Sequence, residues 1–327
     1  MSASAETIAS GPACWVLHDG AAGNRRQALA LAEALGAHAR EIVLAPTRLA
    51  RWWAPHRFPG AAGALGAQFA QAWRETPPRL AIGCGRQAAL ATRLLRRRGA
   101  LAVQILDPRV STRHWDLVVA PAHDRIAGAN VIRLLGSLNP VDEAWLAAAR
   151  DRRPDLVARP PPRTAMLLGG PTAATPLALG EIEQAFDALQ AARLRQGGSL
   201  LVCGSPRTPP AWATAMRERC AAAGAQAWFD PGDGDNPYAA LLGAAHRLVV
   251  TADSSNLLSE ACATAAPVYI LGAAHARGRL GRFVAQLLEC GRARAFDAAL
   301  PPCDIHPLRE TARVAAQVSQ RLGLGRG

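Results

Sequence analysis

Arg247–Leu271 reads RLVVTADSSNLLSEACATAAPVYIL, and the fold class turns on it. Leu248–Thr251 is a short apolar, β-branched run of the size of a buried parallel strand. Ala252-Asp253-Ser254-Ser255 follows, small and polar, able to cap a helix and leave backbone N–H groups pointing outward. Leu257, Leu258, Ala261 and Cys262 recur at helical spacing, and Pro267–Leu271 resumes a strand. The stretch predicts a β–loop–α–β unit whose loop lies at the carboxyl end of a strand. A loop of that kind, at a helix N-terminus, suits phosphate-bearing ligands. Glu260, about a turn and a half into the helix, is placed to accept hydrogen bonds from a ribose.

The same alternation runs outward in both directions. Toward the amino terminus, Cys14–Leu17 reads as a strand, His18–Asn24 as a Gly-containing turn, and Gln27–Leu35 as a helix. The turn lacks the GxGxxG spacing of dinucleotide binders, so NAD is not implied. Further strands read at Ile42–Leu44, Leu80–Gly83, Val103–Ile105, Leu117–Ala120 and Val131–Leu134. Four of the loops in this series carry His, Asp or Arg at a strand's carboxyl end: His18/Asp19 after the first strand, then Arg86, Asp107/Arg109 and His123/Asp124. Asp151–Pro162, DRRPDLVARPPP, is charged and proline-rich and reads as a linker. A second series begins beyond it, with strand Thr164–Leu168, loop Gly169-Gly170-Pro171-Thr172, a helix over Glu181–Arg195 and strand Ser199–Cys203. The expected organisation is an α/β protein with two Rossmann-like domains facing across a cleft: 1–150, a linker at 151–163, 164–304, and a carboxyl-terminal helix at 305–327 returning to the first domain.

Composition narrows the function. The chain has 327 residues and a formal charge of +12, with all 37 basic residues arginine. The arginines are scattered and accompany no nucleic-acid motif, so no nucleic-acid partner is expected. Arg96-Arg97-Arg98 ends a predicted helix, where positive charge suits the dipole. Leu49–Phe69, with Trp52, Trp53 and Phe58 among arginines, is expected as a helix packed on the sheet, the alternative being a partly exposed amphipathic element. The seven cysteines are dispersed in apolar runs and read as free thiols. Cys303 and His306 lack a second ligand pair, so neither metal nor cofactor is implied. The amino terminus carries no signal-peptide pattern and no run approaches a spanning helix. A cytoplasmic protein is expected, with peripheral contact at the inner face of a membrane as an option. GxSxG, HExxH and Walker patterns are lacking, which removes those hydrolase, protease and NTPase readings.

Taken together, His18-Asp19-Gly20…Gly23…Gln27, Asp107-Pro108-Arg109, His123-Asp124…Gly128…Asn130, Gly169-Gly170-Pro171, Arg207-Thr208-Pro209, Asn236-Pro237-Tyr238 and Thr251-Ala252-Asp253-Ser254…Ser259-Glu260-Ala261-Cys262…Pro267 resemble the mitochondrial fission (elongated mitochondria) family, over roughly residues 14–290. Ala265-Ala266 and Pro206 depart from its pattern. That family is in turn similar to two-domain GT-B glycosyltransferases and epimerases. The resemblance implies a nucleotide-sugar donor, UDP-linked, and an unidentified acceptor. Gly169, Gly170, Arg207, Thr208, Asp253, Ser254, Ser255 and Glu260 are the candidate donor-binding residues. His18, Asp19 and Asp124 are the candidate general bases, since proton removal needs a titratable group at the ligand edge. The alternative is a non-catalytic GT-B-like adaptor at a membrane or protein surface, for which Trp52 and Trp53 with Arg48, Arg51 and Arg57 are the feature to examine.

Overall fold

Among the described residues twelve short segments, most of them apolar runs, become strands, and all of them pair in parallel. In a computed structural model, which describes residues 13–303 and 305–324, they are β1 (Ala13–His18), β2 (His38–Val43), β3 (Leu80–Cys84), β4 (Leu101–Ile105), β5 (Leu117–Pro121), β6 (Val131–Leu134), β7 (Arg163–Leu168), β8 (Ser199–Gly204), β9 (Gln226–Trp228), β10 (Arg247–Thr251), β11 (Val268–Leu271) and β12 (Arg294–Ala295). The first six form one sheet in the order β2-β1-β3-β4-β5-β6, and the last six another in the order β12-β11-β10-β7-β8-β9. The reading of the first twelve residues lies outside the described residues.

The central strands of each sheet are buried on both faces, which is why they read as continuous hydrophobic runs, while the edge strands β2 and β12 are largely exposed. Along β1, Cys14 and Val16 face a core shared with helices Ala22–Ala34 and Glu310–Leu322, while Trp15 and Leu17 face one containing Leu65, Phe69, Leu90 and Leu95. In the second sheet, Leu248 and Val250 pack with Leu258, Cys262 and Phe283, while Val249 packs with Phe186, Trp212 and Met216. The pleat places successive side chains on opposite faces, and helices close both.

The chain divides into two units. One comprises residues up to Leu134, Leu138–Pro140 and those from Glu310 onward; the other comprises Leu135–Ser137 and Val141–Arg309. Helix Glu143–Asp151 groups with the second unit, where it packs on helix Tyr238–Ala244. The change of unit therefore falls near residues 134–141 rather than in Asp151–Pro162. That segment instead holds a short helix, Pro154–Val157, whose Leu156 is buried. Proline at a first helical position is tolerated because its missing N–H would have no partner there.

The long packed helix expected over Leu49–Phe69 is not formed. Three short helices stand there, Arg48–Trp53, Ala61–Ala64 and Ala67–Ala72. Residues preceding proline are pushed out of helical conformation, and the first helix stops at Ala54 before Pro55. So short a helix buries only Ala50 and leaves Trp52 71% and Trp53 43% exposed.

Candidate functional site

Open parallel sheets present ligands at the carboxyl ends of strands, where the order of connection reverses. In the second sheet that point lies between β7 and β10, neighbours in space but far apart in sequence. The two strand tips are tied together. Gly169 N–H donates to Thr251 Oγ1 at 2.8 Å, and Gly170 N–H to Asp253 Oδ2 at 3.2 Å. Arg207, from the loop after β8, donates Nη2 to the same Oδ2 at 2.5 Å. Thr208 Oγ1 lies 2.9 Å from both the Leu168 and Gly169 carbonyls, holding the β8 loop against the β7 tip. Gly169, Gly170, Arg207, Thr208 and Asp253 are thus brought into one cluster.

The two glycines are required by close approach. A Cβ on Gly169 would lie 2.0 Å from Asp253 Oδ2, and one on Gly170 would lie 2.1 Å from the Arg207 carbonyl oxygen. The Asp253 carboxylate therefore occupies the concavity that a glycine turn otherwise offers to an anion. Its Oδ1 is buried without a partner. The Arg207 side chain is about half exposed, and among the described residues only its Nη2 is hydrogen-bonded.

Helix Ser255–Cys262 starts beside this cluster. Ser254 is its N-cap, accepting the Leu257 N–H on Oγ at 3.3 Å, and Ser254 and Ser255 remain partly accessible. The first N–H groups of a helix have no partner within it and carry the positive end of its dipole. Farther along, Glu260 is 3% exposed and accepts the Tyr238 hydroxyl on Oε2 at 2.7 Å. Its neighbour Ser259 is committed to structure: Oγ donates to the Ser255 carbonyl and accepts the Ser137 N–H at 2.9 Å. At the far end, the buried Arg292 guanidinium donates to the Cys262 and Thr264 carbonyls, both at 2.7 Å. A cation there satisfies orphan carbonyls and complements the dipole.

In the first sheet the connection reverses between β1 and β3. Asp19 sits at the β1 tip, half-buried, with Oδ1 accepting the Ala21 N–H at 3.2 Å and Asn24 Nδ2 at 2.9 Å. Gly85, at the β3 tip, has φ +89°, and a Cβ there would meet Asn24 Nδ2 at 2.7 Å. Asn24 thus joins the two tips. His18 is 1% exposed with both ring nitrogens engaged: Nδ1 accepts the Gly20 N–H at 3.0 Å, so the proton resides on Nε2, which donates to Glu41 at 3.1 Å. The Arg25 guanidinium, hydrogen-bonded to Glu41, holds that carboxyl below its usual range, with His18 adding to the effect. Asp124 follows β5, away from the reversal point, with His123 Nε2 3.9 Å from its carboxylate.

The buried thiols offer no nucleophile. Burial pushes Cys14, Cys203, Cys220 and Cys262 up to about 12, far from thiolate formation at neutral pH. Among the described residues no three His, Cys, Asp or Glu side chains gather as a metal site. No helix among them is long and apolar enough to cross a membrane. Two residues escaped sequence reading as site components. Tyr238 stood in a quoted motif, yet nothing local links it to Glu260 across 22 positions. Arg292 had no signal at all among so many arginines.

The Mitochondrial fission ELM1 family model matches residues 22–322. The chain is 27% identical over 282 residues to the mitochondrial fission protein ELM1 of Arabidopsis thaliana, covering 77% of this chain. It spans 66% of that relative's length. Among solved structures, it superposes on the UDP-GlcNAc 2-epimerase of Methanocaldococcus jannaschii with TM-score 0.56, at 11% identity over 93% of this chain and 91% of the other. It superposes on S. aureus MnaA, solved with UDP, with TM-score 0.52 at 13% identity over 95% and 89%. At such identities the likeness establishes the α/β, GT-B-like fold.

Proposed function

The chain belongs to the Mitochondrial fission ELM1 family, and on that premise we propose that its second unit binds a UDP-linked sugar, and that the protein transfers the sugar to an acceptor engaged by the first unit. The observation carrying this reading is the β7/β10 reversal point. There an exposed guanidinium fork, steered by Asp253, stands beside a helix start capped by Ser254. Arginine matches oxyanions through its planar fork, and helix N-termini favour negative charge. The diphosphate is assigned to Arg207 with the Ser255 end of the helix. Asp253 sits over Gly169 and acts by positioning Arg207. Glu260 is assigned to the ribose, whose hydroxyls join or replace the Tyr238 hydroxyl on its carboxylate.

In this reading the same groups stabilise the nucleoside diphosphate as it leaves. Of the three candidate bases, Asp19 is favoured, because it stands at the reversal point of the first sheet and, among the described residues, its hydrogen bonds fall on Oδ1. His18 shapes that tip through the Gly20 N–H rather than taking a proton. Calorimetry with UDP and UDP-sugars tests the reading. Wild type should bind, and Glu260→Gln should lose about tenfold or more, since a hydrogen bond to a charged group is worth ~1.5–3 kcal/mol. No binding across the panel, or full affinity in Glu260→Gln, sinks it.

A second reading is supported by one observation: Trp52 and Trp53 lie exposed, ring centroids 5.5 Å apart, on a helix that also carries Arg48 and Arg51. Aromatic and basic residues on one exposed segment suit peripheral contact with an anionic membrane. Vesicle co-sedimentation should fall for Trp52→Ala/Trp53→Ala; unchanged sedimentation removes this reading.

A further inference from the structure

Arg96-Arg97-Arg98 closes helix Arg86–Arg96, where a helix dipole alone would explain it. The structure splits the triplet. Arg98 turns away, stacking 4.6 Å over Trp73 and donating to the Glu75 carbonyl at 2.9 Å. Arg96 and Arg97 instead join Arg93, Arg57 and His114 around an open depression of about 410 Å³. That is many times the ~30 Å³ share of a liquid water molecule. The depression lies at the amino-terminal edge of the first sheet, between the end of a helix and the approach to β5. It therefore sits at the opposite edge from Asp19.

Four guanidiniums line the depression and no carboxylate does. Arg96 pairs with Asp116 at 3.0 Å. The Arg57 and Arg97 side chains are exposed and have no hydrogen-bond or ionic partner among the described residues. Arg93 is 8% exposed and locked in place, with Nη1 on the Pro55 carbonyl at 2.7 Å and its guanidinium 5.7 Å over the buried Trp115 ring. Trp115 is itself anchored by Nε1 to Thr92 Oγ1 at 2.8 Å. The adjoining depression of about 1020 Å³ shares Arg96 and adds Arg113 and Arg321, with Asp116 the one carboxylate in its lining.

Like charges gathered around a desolvated, pre-positioned member repel one another unless an anion sits among them. Burial and the nearby Arg57 together push Arg93 below its usual range, and burial with Arg93, Arg57 and Arg96 does the same to His114. The geometry points to a binding site for a phosphate-bearing ligand with more than one phosphate charge, held by Arg57, Arg93, Arg96 and Arg97. Guanidinium forks match phosphate oxygens in pairs, and a locked Arg93 lowers the ordering needed on binding. This inference does not rest on the nucleotide-sugar reading, whose residues all lie in the other unit apart from the base.

The test is calorimetry of the full chain at low salt with inorganic tripolyphosphate. The comparison is Arg57→Gln/Arg97→Gln, both side chains lying outside every hydrogen bond among the described residues, and Arg152→Gln/Arg195→Gln as a charge-matched control on two other exposed arginines. The expected result is about tenfold or greater weakening in the double variant and little change in the control. Equal binding by wild type and double variant, or equal loss in the control, overturns the proposal. UDP titrated into the same variants should be unaffected, so this site and the nucleotide site fail separately. Vesicles of phosphatidylcholine with phosphatidic acid identify the source of the phosphate. If tripolyphosphate displaces the protein from them and Arg97→Gln weakens sedimentation, a lipid headgroup occupies the site. If sedimentation ignores both while tripolyphosphate binds in solution, the ligand is a soluble phosphate.

Discussion

Replacing Gly169 with alanine tests whether Asp253 fills the β7 turn. The new Cβ would sit 2.0 Å from Asp253 Oδ2 and 2.2 Å from Oδ1. The carboxylate has no room to yield cheaply, being fully buried and bonded to Gly170 N–H and Arg207. Gly169 does not occupy the left-handed region, so the penalty is steric. Overpacking of this kind costs ~1–3 kcal/mol, and displacing a buried carboxylate from its donors adds ~1–3 kcal/mol. A loss of about 2–6 kcal/mol is expected in urea unfolding followed by tryptophan fluorescence. The decisive comparison is the double variant Gly169→Ala/Asp253→Ala. Without the carboxylate the methyl has space, so the double variant should be scarcely worse than Asp253→Ala, the coupling then cancelling nearly all of the Gly169→Ala loss. Gly170→Ala serves as contrast: its Cβ meets the Arg207 backbone oxygen at 2.1 Å, which removal of Asp253 cannot relieve. A tolerated Gly169→Ala, or strict additivity with Asp253→Ala, would refute the reasoning.

Other outcomes follow from the same geometry. Arg292→Met keeps the volume but strips donors from the Cys262 and Thr264 carbonyls at the end of helix Ser255–Cys262; a loss of about 3 kcal/mol or more is expected in urea, and less than ~1 kcal/mol would contradict it. Hydrogen bonds from Arg217 hold the Asp233 carboxyl at about 2, below its ordinary 3.8. Its stabilisation is therefore complete above pH 3.8 and is lost as pH falls toward 2, so Asp233→Asn should flatten that part of the acid unfolding limb. An unchanged limb would remove the pair as a source of acid sensitivity. Tyr238→Phe deletes the hydroxyl on Glu260; if that hydroxyl competes with a ribose, UDP affinity should hold or rise in calorimetry, and a tenfold fall would instead make Tyr238 a ligand contact.

Much of the architecture was legible along the chain, and for a local reason. A buried parallel strand is a short apolar run, and a loop of small polar residues followed by helical spacing marks the next turn, as at Leu248–Thr251 and Ser254–Cys262. Both strand series and the helix-starting serines are properties of neighbouring residues. Over 48–72 the apolar content suggests one packed helix, but Pro55 forces its predecessor out of helical conformation and three short helices form instead.

What residues do to one another over long separations was settled only by folding. The sequence by itself determined that strands and helices would alternate in two series, since propensity and periodicity act within a few residues. Tertiary structure alone decided that Asp253 lies on Gly169, that Glu260 meets Tyr238, and that Arg57 joins Arg93, Arg96 and Arg97. Those partners stand 22 to 84 residues apart or on separate elements. Which carboxylate faces which arginine depends on sheet order and register, and in a chain with 37 arginines no local pattern distinguishes one from another.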